Sequence, residues 1–206
     1  MLAEDHTILG EAFRKLLEPH FEIVGTVSDG LALLEAAPQA KPDVIVIDIA
    51  MPLLNGLEAA VRLKKQMPAV KVIFLTMNED PDLAVQAMRS GASGYLLKSS
   101  AASELIRAIH LSLKGKTYVT PLIARGMQNA FINDPRPKSG AKVLTARQRE
   151  VVQLLAEGKS MKEVASVLKL TPRTVAFHKY RVMQELHLET TAELIQYAIK
   201  THILVL

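Results

Sequence analysis

The stretch DVIVIDIAMPLLNG, residues 43–56, decides the fold. Its centre, Val44-Ile45-Val46-Ile47, is β-branched and apolar on both faces, which a central strand of a parallel sheet requires. Asp48 closes the run at its carboxyl end. Met51-Pro52 and Asn55-Gly56 then read as a turn that exposes that end. Outward from this strand, short β-rich runs at Glu22–Val27, Lys71–Leu75 and Gly94–Leu97 alternate with amphipathic stretches near 7–18, 30–37, 55–67, 80–90 and 100–114. Such alternation implies βαβ units. Counting Met1-Leu2-Ala3 as the end of a first strand predicts a doubly wound parallel five-stranded (βα)5 domain.

Ligands of such sheets bind beyond the carboxyl ends of the strands. Glu4 and Asp5 follow the first strand, Asp48 ends the third, Thr76 the fourth, and Lys98 closely follows the fifth. Three carboxylates this close need a cation or the lysine to compensate their charge. A few hard oxygen ligands open to water suit Mg²⁺, which favours phosphate as a further ligand. The chemistry that fits is phosphoryl transfer to a carboxylate. Asp48 would be the nucleophile, with Mg²⁺ held by Glu4, Asp5 and Asp48, while Lys98 and the Thr76 hydroxyl bind phosphoryl oxygens.

With the acidic pair, the D-x-x-M-P-x-x-x-G run and the L-T and Y-L-L-K endings each at its own strand terminus, residues 1–115 resemble the receiver domain of a two-component response regulator. The resemblance implies the strand order 2-1-3-4-5, phosphorylation of Asp48 by a sensor histidine kinase, a switch aromatic at Tyr95 and a backbone-carbonyl metal ligand at Ala50. Two departures stand out. Only three residues precede the acidic pair, so a weakened sheet or a loosened Glu4 and Asp5 is expected. Ser99 follows Lys98 where many receivers have proline.

The last sixty residues read as helix throughout. Thr145…Gln148, Ser160…Glu163 and Thr190…Glu193 are capping boxes, Thr171-Pro172 is a fourth start, and Gly158 suits a left-handed stop. The predicted helices are 146–157, 161–168, 172–187 and 191–201. Only Lys169, Leu170 and Thr171 join the second to the third, the spacing of a helix-turn-helix. Residues 144–202 resemble the LuxR-type DNA-binding domain, through Leu144, Thr145, Glu150, Gly158, Lys162, Glu163, Ala165, Thr174, Val175 and His178. Helix 172–187 would lie in the major groove. There Ala176, Phe177 and Tyr180 face bases, Lys162, Lys169, Arg173, Lys179 and Arg181 meet the phosphates, and Thr174 also belongs to the DNA-binding set. For Phe177 and Tyr180 the competing reading is packing against a neighbouring helix or the receiver. The family's last helix makes dimer contacts, here offering Leu194, Ile195, Ala198 and Ile199.

Receiver plus this effector is the architecture of the NarL/FixJ class. It implies three parts: a receiver at 1–115, a linker with a short helix at 116–142, and a DNA-binding domain at 143–206. The implied function is a non-enzymatic transcription regulator in which phosphate on Asp48 shifts Thr76 and then Tyr95 inward, promotes homodimers and frees the helix-turn-helix for double-stranded DNA. The alternatives are a phosphorylation-independent regulator, an interaction module that no longer reads DNA and, less favoured because Ala50 replaces a second Asp, an aspartyl-phosphate hydrolase.

Composition agrees. The 206 residues contain no cysteine, which excludes disulfides, thiolate zinc sites and cysteine nucleophiles and fits the cytoplasm. The first twenty residues carry charges throughout and show no signal-peptide apolar core, and no apolar run approaches a membrane span. The net charge of +4 is uneven: residues 1–115 hold 11 Lys+Arg against 14 Asp+Glu, net −3, and residues 116–206 hold 14 against 7, net +7.

Overall fold

The computed structural model describes residues 1–133 and 144–205. The expected linker falls partly outside these residues, at 134–142. The chain divides into two compact units, Met1–Pro52 with Gly56–Pro137 and Leu53–Asn55 with Lys138–Leu206.

The first unit holds six parallel strands, β1 (Leu2–Ala3), β2 (Thr26–Val27), β3 (Val44–Asp48), β4 (Lys71–Thr76), β5 (Gly94–Leu97) and β6 (Tyr118–Val119), in the order β2-β1-β3-β4-β5-β6. Helices α1 (Thr7–Leu17), α2 (Gly30–Ala40), α3 (Gly56–Gln66), α4 (Pro81–Arg89) and α5 (Ala101–Leu113) alternate with the first five. Phe13 and Leu17 of α1 and Leu105, Ala108 and Ile109 of α5 pack on Leu2, Val46, Ile73, Leu75 and Leu96. Strand alternation turns Ile45, Ile47 and Phe74 to the other face, and all three are fully buried. Continuous burial of β3 and β4 explains why their sequence shows no polar alternation.

Two differences from the sequence reading follow from backbone pairing. The second strand was expected over Glu22–Val27, but only Thr26–Val27 pairs, because β1 offers partners at Leu2 and Ala3 alone. Val24 is left 40% exposed, and a cavity of about 190 Å³ lined by Met1, Phe21, Ile23 and Val44 among others lies at this end of the sheet. The second difference is the sixth strand. Tyr118 and Val119 pair with Gly94 and Tyr95, and α6 (Pro121–Asn133) packs on α4. Residues expected to begin the linker therefore extend the first unit's sheet.

The short β1 is nevertheless well tied. Its Met1 amine donates to the Val44 carbonyl at 2.9 Å, Val46 N–H donates to Met1 O at 3.0 Å, and Leu2 and Glu4 N–H groups donate to Gly25 and Val27 carbonyls at 3.0 Å each. Bonding to both neighbours over four residues replaces the length the strand lacks, and the loosening expected of Glu4 is not seen.

The second unit contains α7 (Ala146–Ala156), α8 (Met161–Leu168), α9 (Pro172–Glu185) and α10 (Thr191–Lys200). All three capping boxes form, with the hydroxyls of Thr145, Ser160 and Thr190 accepting from the backbone of Gln148, Glu163 and Glu193. Thr171 accepts from Thr174 N–H, and Gly158 is left-handed at φ +86°. Val151, Val152, Leu154, Val164, Val175, Val182 and Leu194 form the core.

Candidate functional site

The carboxyl ends of β1, β3, β4 and β5 bring four of the expected residues to one rim. Lys98 stands between two carboxylates, its Nζ 2.8 Å from Asp48 Oδ2 and 2.9 and 2.8 Å from Glu4 Oε1 and Oε2. All three side chains are nearly inaccessible, at 4% or less. Burial alone would lower the lysine's pKa, but its hydrogen bonds to Asp48 and Glu4 and their negative charges outweigh it, and the net shift is upward. The ammonium therefore keeps its charge to a higher pH than an ordinary lysine does.

Asp48 Oδ1 accepts the Ala50 N–H at 3.2 Å, which turns the Ala50 backbone beside the carboxylate. Lys98 N–H donates to Thr76 O at 2.8 Å and joins the ends of β4 and β5. The Thr76 side chain is on the rim and buried, but its hydroxyl accepts from Asn78 N–H at 3.0 Å. Tyr95 is fully buried, with its hydroxyl donating to Asn78 O at 3.1 Å. Burial, aided by the charge of Asp80, pushes that phenol well above its ordinary pKa, so it stays a donor. Tyr95 is thus buried in this structure, the position that the resemblance assigns to the phosphorylated state. Asn78, which no sequence pattern marked, links it to Thr76 by its two backbone groups.

Glu4, Asp5, His6 and Asp48 each offer a ligand atom, and these atoms lie within 4.8 Å of one another. Asp5 Oδ1 is buried without a hydrogen bond, 3.0 Å from His6 Nδ1. An acceptor-only oxygen in that condition, beside two further carboxylates, fits a hard divalent cation.

In the second unit α8 and α9 form the helix-turn-helix, with Lys169 in a left-handed turn at φ +55° between them. Phe177 and Tyr180 are 57% and 59% exposed, so neither packs into the core. Arg181 lies over the Phe177 ring at 5.9 Å and Lys179 over Tyr180 at 5.7 Å. Lys162, Lys169 and Arg173 are exposed and Ala176 half-buried. Three residues of the expected DNA-binding set have partners of their own: Arg181 pairs with Glu185 at 2.9 Å, Lys179 donates to Thr191 Oγ1 at 2.9 Å, and Thr174 Oγ1 lies 2.9 Å from Thr171 Oγ1. Arg147, unmarked in the sequence, ties α7 to the end of α8 by donating to Leu168 O at 2.7 Å and pairs within α7 with Glu150 at 2.7 Å, and Gln148 Nε2 reaches Glu185 on α9 at 3.3 Å. Of the dimer residues expected on α10, Leu194 and Ala198 are buried in the unit's own core, which leaves Ile195 and Ile199.

Among the described residues no helix is long and apolar enough to cross a membrane. Residues 1–110 match the response regulator receiver domain, and residues 142–198 match the bacterial regulatory proteins of the luxR family. The oxygen regulatory protein NreC of Staphylococcus carnosus is 32% identical over 212 residues, covering 99% of this chain and 98% of its own. Among solved structures, the RcsB response regulator of Salmonella typhimurium is 28% identical, covers 95% of each chain and superposes with a TM-score of 0.59. A LuxR-family two-component response regulator from an Aurantimonas species is 30% identical over 64% of this chain and 96% of its own, with a TM-score of 0.62. RcsB has also been solved as dimers bound to DNA. With both domains matched in order and a relative similar along its whole length, the chain belongs to the response regulators of the NarL/FixJ class, a receiver domain followed by a LuxR-type helix-turn-helix.

Proposed function

We propose that this chain is a cytoplasmic transcription regulator whose dimerisation and binding to double-stranded DNA are set by phosphorylation of Asp48. In this reading the receiver extends through β6 and α6 to Asn133, and residues 143–206 are the DNA-binding domain. The observation that carries it is the buried Asp48–Lys98–Glu4 contact at the strand ends. A lysine held between two carboxylates is placed to follow negative charge from the Asp48 oxygen to an incoming phosphoryl group.

An Asp48 oxygen would attack phosphorus as the bond to the kinase's histidine nitrogen breaks, the electron pair leaving with that nitrogen. Glu4, Asp5, Asp48 and the Ala50 carbonyl would hold Mg²⁺, which supplies charge neutralisation at the phosphoryl oxygens. Lys98 would move its donors from the carboxylate to the new group. Thr76 would turn its hydroxyl to donate to a phosphoryl oxygen, and a rotation that carries that oxygen away from the Asn78 N–H would release the loop on which Tyr95 is anchored. A group of nearly two negative charges with three acceptor oxygens supplies the differential contacts such a shift needs.

Asp48→Asn should abolish labelling by acetyl phosphate with Mg²⁺ and remove any phosphate-dependent change in sedimentation or DNA binding. A variant that labels and dimerises as the wild type does would overturn the proposal. A phosphorylation-independent regulator would instead keep wild-type dimerisation and DNA binding in Asp48→Asn.

On the DNA side, Phe177→Ala and Tyr180→Ala should each cost about 1–3 kcal/mol against the preferred site and little against random duplex. Arg173→Ala should instead weaken both alike and flatten the slope of log affinity against log salt by about 1. Operator selection from random duplex followed by salt titration measures both. Equal losses on the two DNAs for Phe177→Ala and Tyr180→Ala would remove them from base readout.

A further inference from the structure

The residue that carries Lys98 into the site sits in a tight turn between β5 and α5. Ser100 N–H donates back to Leu97 O at 3.1 Å and Ala101 N–H to Lys98 O at 3.4 Å. The turn has a sequence of small polar residues, Ser99-Ser100, with no ring to stiffen it. A side chain from further along the chain reaches it. Thr120, 5% exposed at the junction of β6 and α6, accepts the Leu97 N–H at 3.3 Å, lies 3.4 Å from Ser100 Oγ and donates to Glu104 Oε2 at 2.8 Å.

Proton counting fixes the directions. A threonine hydroxyl has one hydrogen, and the Glu104 carboxylate, an acceptor only, takes it. The oxygen's lone pairs are then left for Leu97 N–H and Ser100 O–H, the groups on either side of Lys98. Ser100 shares its hydrogen between Thr120 and Leu97 O, 3.2 Å away. The hydroxyl therefore grips both ends of the turn, and Glu104 holds the hydroxyl.

We infer that Thr120 is a positioning residue for Lys98, so that the segment entering α6 sets how readily Asp48 exchanges its phosphoryl group. The inference rests on the reading of Asp48 as phospho-acceptor. Two consequences follow. Removing the Thr120 hydroxyl lets the turn move and lowers the fraction of time Lys98 spends on Asp48. By linkage, any shift of Lys98 towards a phosphoryl group also biases the docking of β6 and α6, the segment through which the chain leaves the first unit.

The test uses the full chain with acetyl phosphate and Mg²⁺, following phosphorylation and its decay. Thr120→Val, which keeps the shape and loses the hydrogen bonds, should slow acceptance about three- to tenfold. Its affinity for Mg²⁺ by calorimetry should not fall, because Thr120 touches no carboxylate of the site and a lysine that leaves those carboxylates competes less with the ion. Thr120→Ser should restore the rate to within about twofold. In a Lys98→Ala background the valine should cause no further slowing, since its effect runs through the lysine. Thermal unfolding confirms that the variants fold. If the valine chain does not, Glu104→Gln, which weakens the bond that orients the hydroxyl, should slow acceptance in the same direction and by less. A wild-type rate in Thr120→Val, equal slowing in both backgrounds, or a serine that fails to rescue would overturn the inference while leaving Asp48 in its role. A wild-type chain that is not labelled, or an Asp48→Asn chain that is, would overturn both.

Discussion

Replacing Lys98 by methionine should cost the first unit about 3–5 kcal/mol at neutral pH, because it leaves two buried carboxylates facing each other with no cation between them. The methionine fills the volume of the lysine stem, so the loss is electrostatic rather than a cavity. Glu4 and Asp48 are 4% and 2% exposed, and water cannot easily replace the ammonium. Two further signatures separate this cause from a packing defect. Millimolar Mg²⁺ should recover part of the loss, since a divalent ion supplies the missing charge. The pH dependence should also invert. In the wild type the folded pKa of Lys98 lies above its usual 10.5, so the stability from this pairing is complete below about that pH and is lost as pH rises through the folded value. In the variant that alkaline loss disappears, and stability should instead increase as pH falls and one of the crowded carboxylates takes up a proton. Urea unfolding across pH, with and without Mg²⁺, measures all of this. A variant as stable as the wild type at pH 7 would show that the Lys98 contacts are not stabilising.

The sequence carried this site well because each member ends a strand, and strand ends in a doubly wound sheet share one rim. Glu4, Asp48, Thr76 and Lys98 are therefore legible from position alone. Asn78 and Thr120 are not. Each works through a backbone group or a hydroxyl in a loop, and a lone Asn or Thr outside a periodic segment gives no signal of what it will meet. The helical unit was the most legible part, because capping boxes are local: hydroxyl and Gln or Glu lie three residues apart and meet without help from the rest of the fold. The length of β2 was misread for the opposite reason. Ile23 and Val24 have strand-forming side chains, but pairing depends on a neighbour distant in sequence, and β1 does not reach them. The sixth strand was missed because two residues, Tyr118 and Val119, show no period at all. On the recognition helix, the exposure of Phe177 and Tyr180 excludes burial in the unit's own core, which a helical wheel does not decide.

Gly56 was read as half of an Asn-Gly turn, and that reading predicts tolerance of residues that adopt left-handed backbone. The structure gives a different reason for the glycine and a larger effect. Gly56 begins α3 without positive φ, and its N–H donates to Ile49 O at 3.0 Å, folding the helix start back onto the end of β3. A Cβ there would lie 2.1 Å from Asp48 O and 3.0 Å from Asp48 C and Ile49 Cα. These are backbone atoms of a buried strand end, not the tip of a side chain that can turn aside. Helix propensity pulls the other way, since alanine in place of glycine favours a helix by about 1 kcal/mol. Overpacking against fixed backbone costs about 1–3 kcal/mol in ordinary cores, and a contact this short lies at or beyond the upper end. Gly56→Ala is therefore expected to destabilise the first unit by at least about 2–3 kcal/mol despite the better helix former, and to displace Asp48 enough that the folded fraction labels poorly with acetyl phosphate. Gly56→Asn separates the two readings. If left-handed backbone were the requirement, asparagine would be milder than alanine; if close approach is, asparagine is at least as harmful. Urea midpoints of the full chain measure the difference, and an alanine variant with an unchanged or raised midpoint would mean that the start of α3 can move away from β3 at no cost to the site.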